Sequence, residues 1–184
     1  MLKRLGKKHR GFTIIELVLV AFLSSFIILG SFAAFTVGNE QAQLSQTKMT
    51  LESSARDALY KMAQEIRQSA PSRITIAAGG ASILFAVPDP ANLITATYGV
   101  NWAGCHMIRY ALGGVNNRQL IRTDVSANQS SVIANDITAL QFAMGVSQIR
   151  VISITLSTQR TLISGRPVPD TPLQLTAQVE VRNT

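Results

Sequence analysis

At 184 residues the chain has room for about one domain. It carries 17 Lys and Arg against 10 Asp and Glu, a formal +7, yet Lys3, Arg4, Lys7, Lys8 and Arg10 supply +5 of this within an acid-free stretch of eleven residues, leaving 12 bases against 10 acids elsewhere. A nucleic-acid-binding domain spreads positive charge over its folded part, so this balance argues against that class and singles out the N-terminus. One cysteine, Cys105, excludes an intramolecular disulfide, and His9 and His106 are too few for a structural zinc site. No metal or other cofactor is expected.

Residues 1–11 form a basic leader. From Gly11 to Asn39 the only charge is Glu16, and Phe12 to Val37 is an apolar run of 26 residues. About 20 residues suffice for a helix to cross a bilayer core. Five bases precede the run and Glu40 is the first charge after it, which predicts a single pass with a cytoplasmic N-terminus. A secretory signal has an apolar core of about 7 to 15 residues and a small-residue cleavage site. This run is longer, and Ser31-Phe32-Ala33 is a poor substitute for such a site.

Glu16 is the anomaly within it. A carboxylate in an apolar span costs about 2 to 3 kcal/mol, so it has a partner, a purpose, or access to headgroups at the interface. Its surroundings read KKHRGFTIIELV. This resembles the N-terminal signature of type IV prepilins and type II secretion pseudopilins, with Gly11, Phe12, Thr13, Glu16, Leu17 and Val18 matching. The resemblance implies that a membrane prepilin peptidase cuts between Gly11 and Phe12 on the cytoplasmic face and methylates the new amine of Phe12. The leader is then lost and the apolar helix kept. It also implies an assembly role for Glu16, whose carboxylate would pair with the Phe12 amine of its own chain or of the next subunit. A charge removed from water needs such a partner.

After Gly38 the pattern turns amphipathic: Leu44, Leu51, Ala55, Leu59, Met62 and Ile66 recur at helical spacing, with charged residues largely between them. The expected helix runs from Phe12 to Ala70, stopped by Pro71. Its 59 residues would measure about 88 Å. Residues 12–37 form the membrane or filament-core part and 38–70 the amphipathic continuation, which covers a sheet; a dimeric coiled coil is the alternative. Residues 71–184 form a β-rich periplasmic head. Arg73–Ala78 with Ser82–Val87, and His106–Leu112 with Gln119–Thr123, read as hairpins. Ile137–Met144, Ile149–Ser157 and Leu173–Val181 read as strands, and Pro88–Ala103 and Thr158–Pro172 as loops. A helix followed by antiparallel strands is α+β.

The segments IRYAL and RQLIR and the ending QVEVRN are similar to the J-type pseudopilin and W-type minor pilin group. The K-type group differs in lacking a glutamate at the position of Glu16 and in carrying a large inserted domain. The resemblance implies a pilin-like α+β fold. Its expected function is that of a minor pilin or pseudopilin, a structural subunit that initiates or caps a type IV pilus or type II secretion pseudopilus. The expected partners are the prepilin peptidase, other pilins or pseudopilins, the inner-membrane assembly platform and membrane lipid.

No catalytic constellation is legible, so the chain reads as a non-enzyme. Once the leader is removed, His106 is the only histidine, and it reads as a strand-end side chain; Cys105 reads as a buried or idle thiol. Arg109, Arg118, Arg122, Arg150, Arg160 and Arg166 face only Asp124 and Asp136 across their span. They leave two readings: a phosphate-contacting face in a DNA-uptake pilin, through Arg109, Arg118 and Arg122, or outward arginines on a solvated strand face. Tyr110 alone accompanies them as an aromatic, so DNA is not the expected partner. A signal-anchored periplasmic binding protein is the alternative from another class.

Overall fold

The computed structural model describes residues 11–89, 91, 99–145, 150–162 and 165–183. Residues 1–10 of the basic leader, half of the Pro88–Ala103 segment (90 and 92–98) and Ile149 lie outside the described residues. The chain divides into two units, Met1–Gln43 and Leu44–Thr184. Helix α1, Ile14–Ile66, runs through both.

In the first unit α1 is apolar all round, and its most apolar window has a mean hydropathy of 2.4 with none of it buried. Phe22, Phe26, Leu29, Phe32 and Phe35 are each at least 60 % exposed. A helix that is apolar on every face demands an apolar surrounding. It is long and apolar enough to cross a membrane.

In the second unit the polar and apolar residues of α1 segregate. Leu51, Ala55, Leu59, Met62 and Ile66 are buried as their spacing leads one to expect, Ala58 is buried beside them, and Leu44, expected in the same stripe, is half-buried. Their partner is a sheet, as expected. The strands are β1 (Ile74–Ile76), β2 (Ser82–Val87), β3 (His106–Gly113), β4 (Gln119–Asp124), β5 (Gln129–Ala134), β6 (Ile137–Met144), β7 (Val151–Thr161) and β8 (Pro167–Glu180). They form an antiparallel five-stranded sheet, β1-β2-β3-β4-β5, and an antiparallel three-stranded one, β6-β7-β8. One core joins the helix to both sheets, with Met62 and Ile66 among Phe85 and Tyr110 of the first and Phe142 and Ile154 of the second. Each such side chain contributes roughly 1.5 to 3 kcal/mol by leaving water. The architecture is α+β and pilin-like: a long N-terminal helix packed on antiparallel strands.

Alternation along β7 is regular, burying Ile152, Ile154, Leu156 and Thr158. Thr158 is tolerated there because its hydroxyl donates to the Asp136 carbonyl at 2.9 Å.

Three features depart from the sequence expectation. Helix α1 runs from Ile14 to Ile66 rather than from Phe12 to Ala70. Pro71 forces Ala70 to extended backbone (φ −114°, ψ 146°), and the chain relaxes through Gln68 N–H to Glu65 O and Ser69 N–H to Ile66 O. The freed carbonyls of Arg67 and Gln68 accept from Arg182 N–H and Asn183 Nδ2. Segment 158–172, expected as a loop, is largely strand: β7 reaches Thr161 and β8 begins at Pro167. Pro167, Pro169 and Pro172 are accommodated because β8 is an edge with β7 on one side only. Strand β5 had no counterpart among the expected elements.

Candidate functional site

The residues that carry the prepilin resemblance stand at the very start of α1. Gly11, Phe12 and Thr13 are exposed and precede the helix. Thr13 caps it: the Glu16 amide donates to Thr13 Oγ1 at 3.3 Å, and the Leu17 amide to the Thr13 carbonyl at 3.2 Å. Thr13-Ile14-Ile15-Glu16 therefore has the spacing of a capping box, with the acid in the first turn, where the helix dipole favours negative charge. That signal was available in the sequence, and it gives Thr13 and Glu16 a local role beside any role in assembly. The Gly11–Phe12 peptide lies two residues outside the helical ladder. Among the described residues a methyl group at Gly11 would meet nothing within 4 Å, so their packing does not require glycine there.

In the second unit the polar side chains form pairs that tie elements together. Arg122 Nε donates to both carboxylate oxygens of Glu65, at 2.9 and 3.1 Å, and Tyr110 Oη donates to Glu65 Oε2 at 3.0 Å. Helix α1 is thereby pinned to β3 and β4 at a half-buried site. Burial and then the Glu65 carboxylate push the Tyr110 hydroxyl above the usual tyrosine range. His106, at the start of β3, lies 2.9 Å from Asp124 Oδ2 at the end of β4. Burial raises the Asp124 carboxyl, but the Ala127 amide, the His106 ring and the Ser126 amide outweigh it and hold it below its ordinary value.

The three arginines considered for phosphate contact are not brought together. Tyr110 stands opposite Arg122 in the β3–β4 register, so Arg122 shares the helix-facing side of the sheet. Arg109, the next residue along β3, is exposed on the other side. Arg118 follows the short helical turn Val115–Asn117 and donates from Nη2 to the Gln159 carbonyl at 2.6 Å. Arg160 and Asp136 pair at 2.9 Å, and Arg166 lies 3.7 Å from Asp170. The Glu65 anchor of Arg122 was missed because Glu65 and Arg122 are far apart in sequence. Cys105 is half-buried, and among the described residues no three His, Cys, Asp or Glu side chains converge.

Comparison with protein-family models, with curated proteins and with solved structures returned no match.

Proposed function

We propose that the chain is a prepilin-class structural subunit, cut between Gly11 and Phe12 and assembled through its apolar helix into a filament or filament tip. It acts by packing, without turnover, as a minor pilin or pseudopilin. The observation that carries this reading is the GFTIIE segment: an exposed glycine–aromatic peptide just ahead of a capped helix, with one carboxylate, Glu16, heading an otherwise uncharged run.

The chemistry is consistent throughout. A protease needs the scissile backbone in extended form, and Gly11–Phe12 precedes the helical ladder. Cutting leaves a cationic amine on Phe12, four residues from Glu16. In a filament core, where neither charge is hydrated, the pair neutralises itself within one chain or across two. The apolar side chains of α1, exposed in the single chain, exchange lipid for the helices of neighbouring subunits. The bases ahead of Gly11 hold the N-terminus on the cytoplasmic side, and the strands lie across the membrane.

The experiment is the intact mass and first residue of the chain from native membranes, with and without prepilin peptidase. N-methyl-Phe12 as first residue only when the peptidase is present is the expected result. A chain that keeps its leader under both conditions is a plain anchored protein, and the filament reading fails.

A further inference from the structure

Most arginines of the second unit are engaged, and those that are not gather at one place. Residues 44–184 hold ten arginines. Arg56, Arg122, Arg160 and Arg166 have carboxylate partners, Arg118 donates to the Gln159 carbonyl, and Arg73 lies 4.7 Å over the Trp102 ring. The side chains of Arg67, Arg109, Arg150 and Arg182 have no partner among the described residues, and all four are exposed.

Three of these four meet where α1 ends, β7 begins and β8 ends. The Arg182 amide donates to the Arg67 carbonyl at 3.4 Å, and the amide of its neighbour Val181 donates to the Arg150 carbonyl at 2.8 Å. Val181 is buried, whereas Glu180 and Arg182 on either side of it are exposed. Three guanidinium groups are thus rooted at adjoining backbone positions. Acids do little to cancel them. Glu65, two residues before Arg67, is taken by Arg122, and Glu180, two residues before Arg182, forms no ion pair among the described residues. The C-terminal end of α1 adds about half a negative charge. Three full positive charges outweigh one carboxylate and that half charge.

We propose that Arg67, Arg150 and Arg182 form an anion site that takes a phosphomonoester group. A carboxylate has two oxygens and a single charge, and one guanidinium fork saturates it. A phosphomonoester presents three terminal oxygens and a charge of about −1.5 to −2. Three forks on long, jointed side chains match that group. A nucleic-acid backbone instead spreads single charges along its length, which arginines rooted at one point do not follow. The phosphomonoester belongs to a soluble molecule or to a lipid headgroup.

The test uses the full chain reconstituted in phosphatidylcholine vesicles, with glycerol 3-phosphate as the soluble probe. Saturable binding is expected, roughly tenfold tighter than that of succinate, which carries the same charge on carboxylates. Arg67→Gln, Arg150→Gln and Arg182→Gln each weaken it roughly tenfold. Their melting profiles stay unchanged, because the contacts that join the three segments are made by the backbone. Arg109→Gln, which removes an equally unpaired charge from β3, leaves binding as it was. Capture of a second set of vesicles containing phosphatidic acid identifies a lipid headgroup as the source. Binding of the soluble probe without such capture identifies a soluble phosphoester. No binding of either probe, equal affinity for succinate, equal capture of vesicles containing phosphatidylglycerol, or tighter binding of a single-stranded oligonucleotide overturns the proposal. So does binding that is indifferent to the three substitutions or falls equally with Arg109→Gln.

Discussion

Glu65 on α1 and Arg122 on β4 meet at 2.9 Å, with Tyr110 donating to the same carboxylate from β3. Helix and sheet are thus joined by a directional contact as well as by apolar packing. Both ionic side chains are only a little over a quarter exposed, so removing one leaves the other poorly hydrated. Glu65→Ala and Arg122→Ala are each expected to cost roughly 1 to 3 kcal/mol, measured by urea unfolding. The double variant should cost less than the two singles added, with a coupling of roughly 0.5 to 3 kcal/mol. Strict additivity would show that the pair contributes nothing beyond its parts.

Two groups give stability opposite pH dependences. The Asp124 carboxyl is held below its ordinary value, so its contribution is present above the unfolded value near 4. As pH falls below that value, the unfolded chain takes up the proton first and the contribution is lost. Tyr110 is raised, so its contribution is whole below about pH 10 and declines as pH rises further. Asp124→Asn should flatten the acid limb of the stability profile, and Tyr110→Phe the alkaline limb. Profiles of unchanged slope would remove both assignments.

Helix, hairpins and central strands were legible because their periodicity is local: the 51–66 stripe and the alternation in Ile137–Met144 need no knowledge of neighbours. Strand β5 was not legible. Four of its six residues are Gln, Ser or Ala, and it is a strand because β4 offers it a ladder. The prolines of 167–172 misled for the same reason, since whether a proline breaks a strand depends on its being at an edge. At the N-terminus the cap was legible, because Thr13 and Glu16 stand three residues apart and their contact is local. In the head, Glu65, Tyr110 and Arg122 were not, because 45 to 57 positions separate the helix residue from its partners.

Gly79 and Gly80 both have positive φ, 77° and 75°, yet only Gly80 is closely approached. A methyl group on Gly80 collides with the Phe142 carbonyl of β6, whereas one on Gly79 enters open space. Gly79→Ala should cost about 1 kcal/mol from backbone strain. Gly80→Ala adds overpacking between the 78–80 turn and the second sheet, for roughly 2 to 4 kcal/mol in all. Thermal melts of the two variants compare them directly, and equal losses would refute the close packing of Gly80 on β6.

The N-terminal residues separate processing from folding. Among the described residues nothing lies within 4 Å of a methyl group at Gly11, so Gly11→Ala should leave the fold and membrane insertion unchanged. On the proposed function it nonetheless slows removal of the leader, because the peptidase, not the fold, selects the glycine. Glu16→Gln keeps a side chain of the same length and removes its charge. It should leave cleavage intact while assembled filament or tip complex falls at least tenfold, since the Phe12 amine then enters an apolar core unpaired. Thr13→Ala removes the cap that holds the Glu16 amide, for about 1 kcal/mol of local helix stability. If Thr13→Ala impairs assembly as severely as Glu16→Gln, the first turn acts through helix capping and not through a charge pair. Peptidase assays on membranes, read beside native-gel assembly of the same variants, distinguish the two.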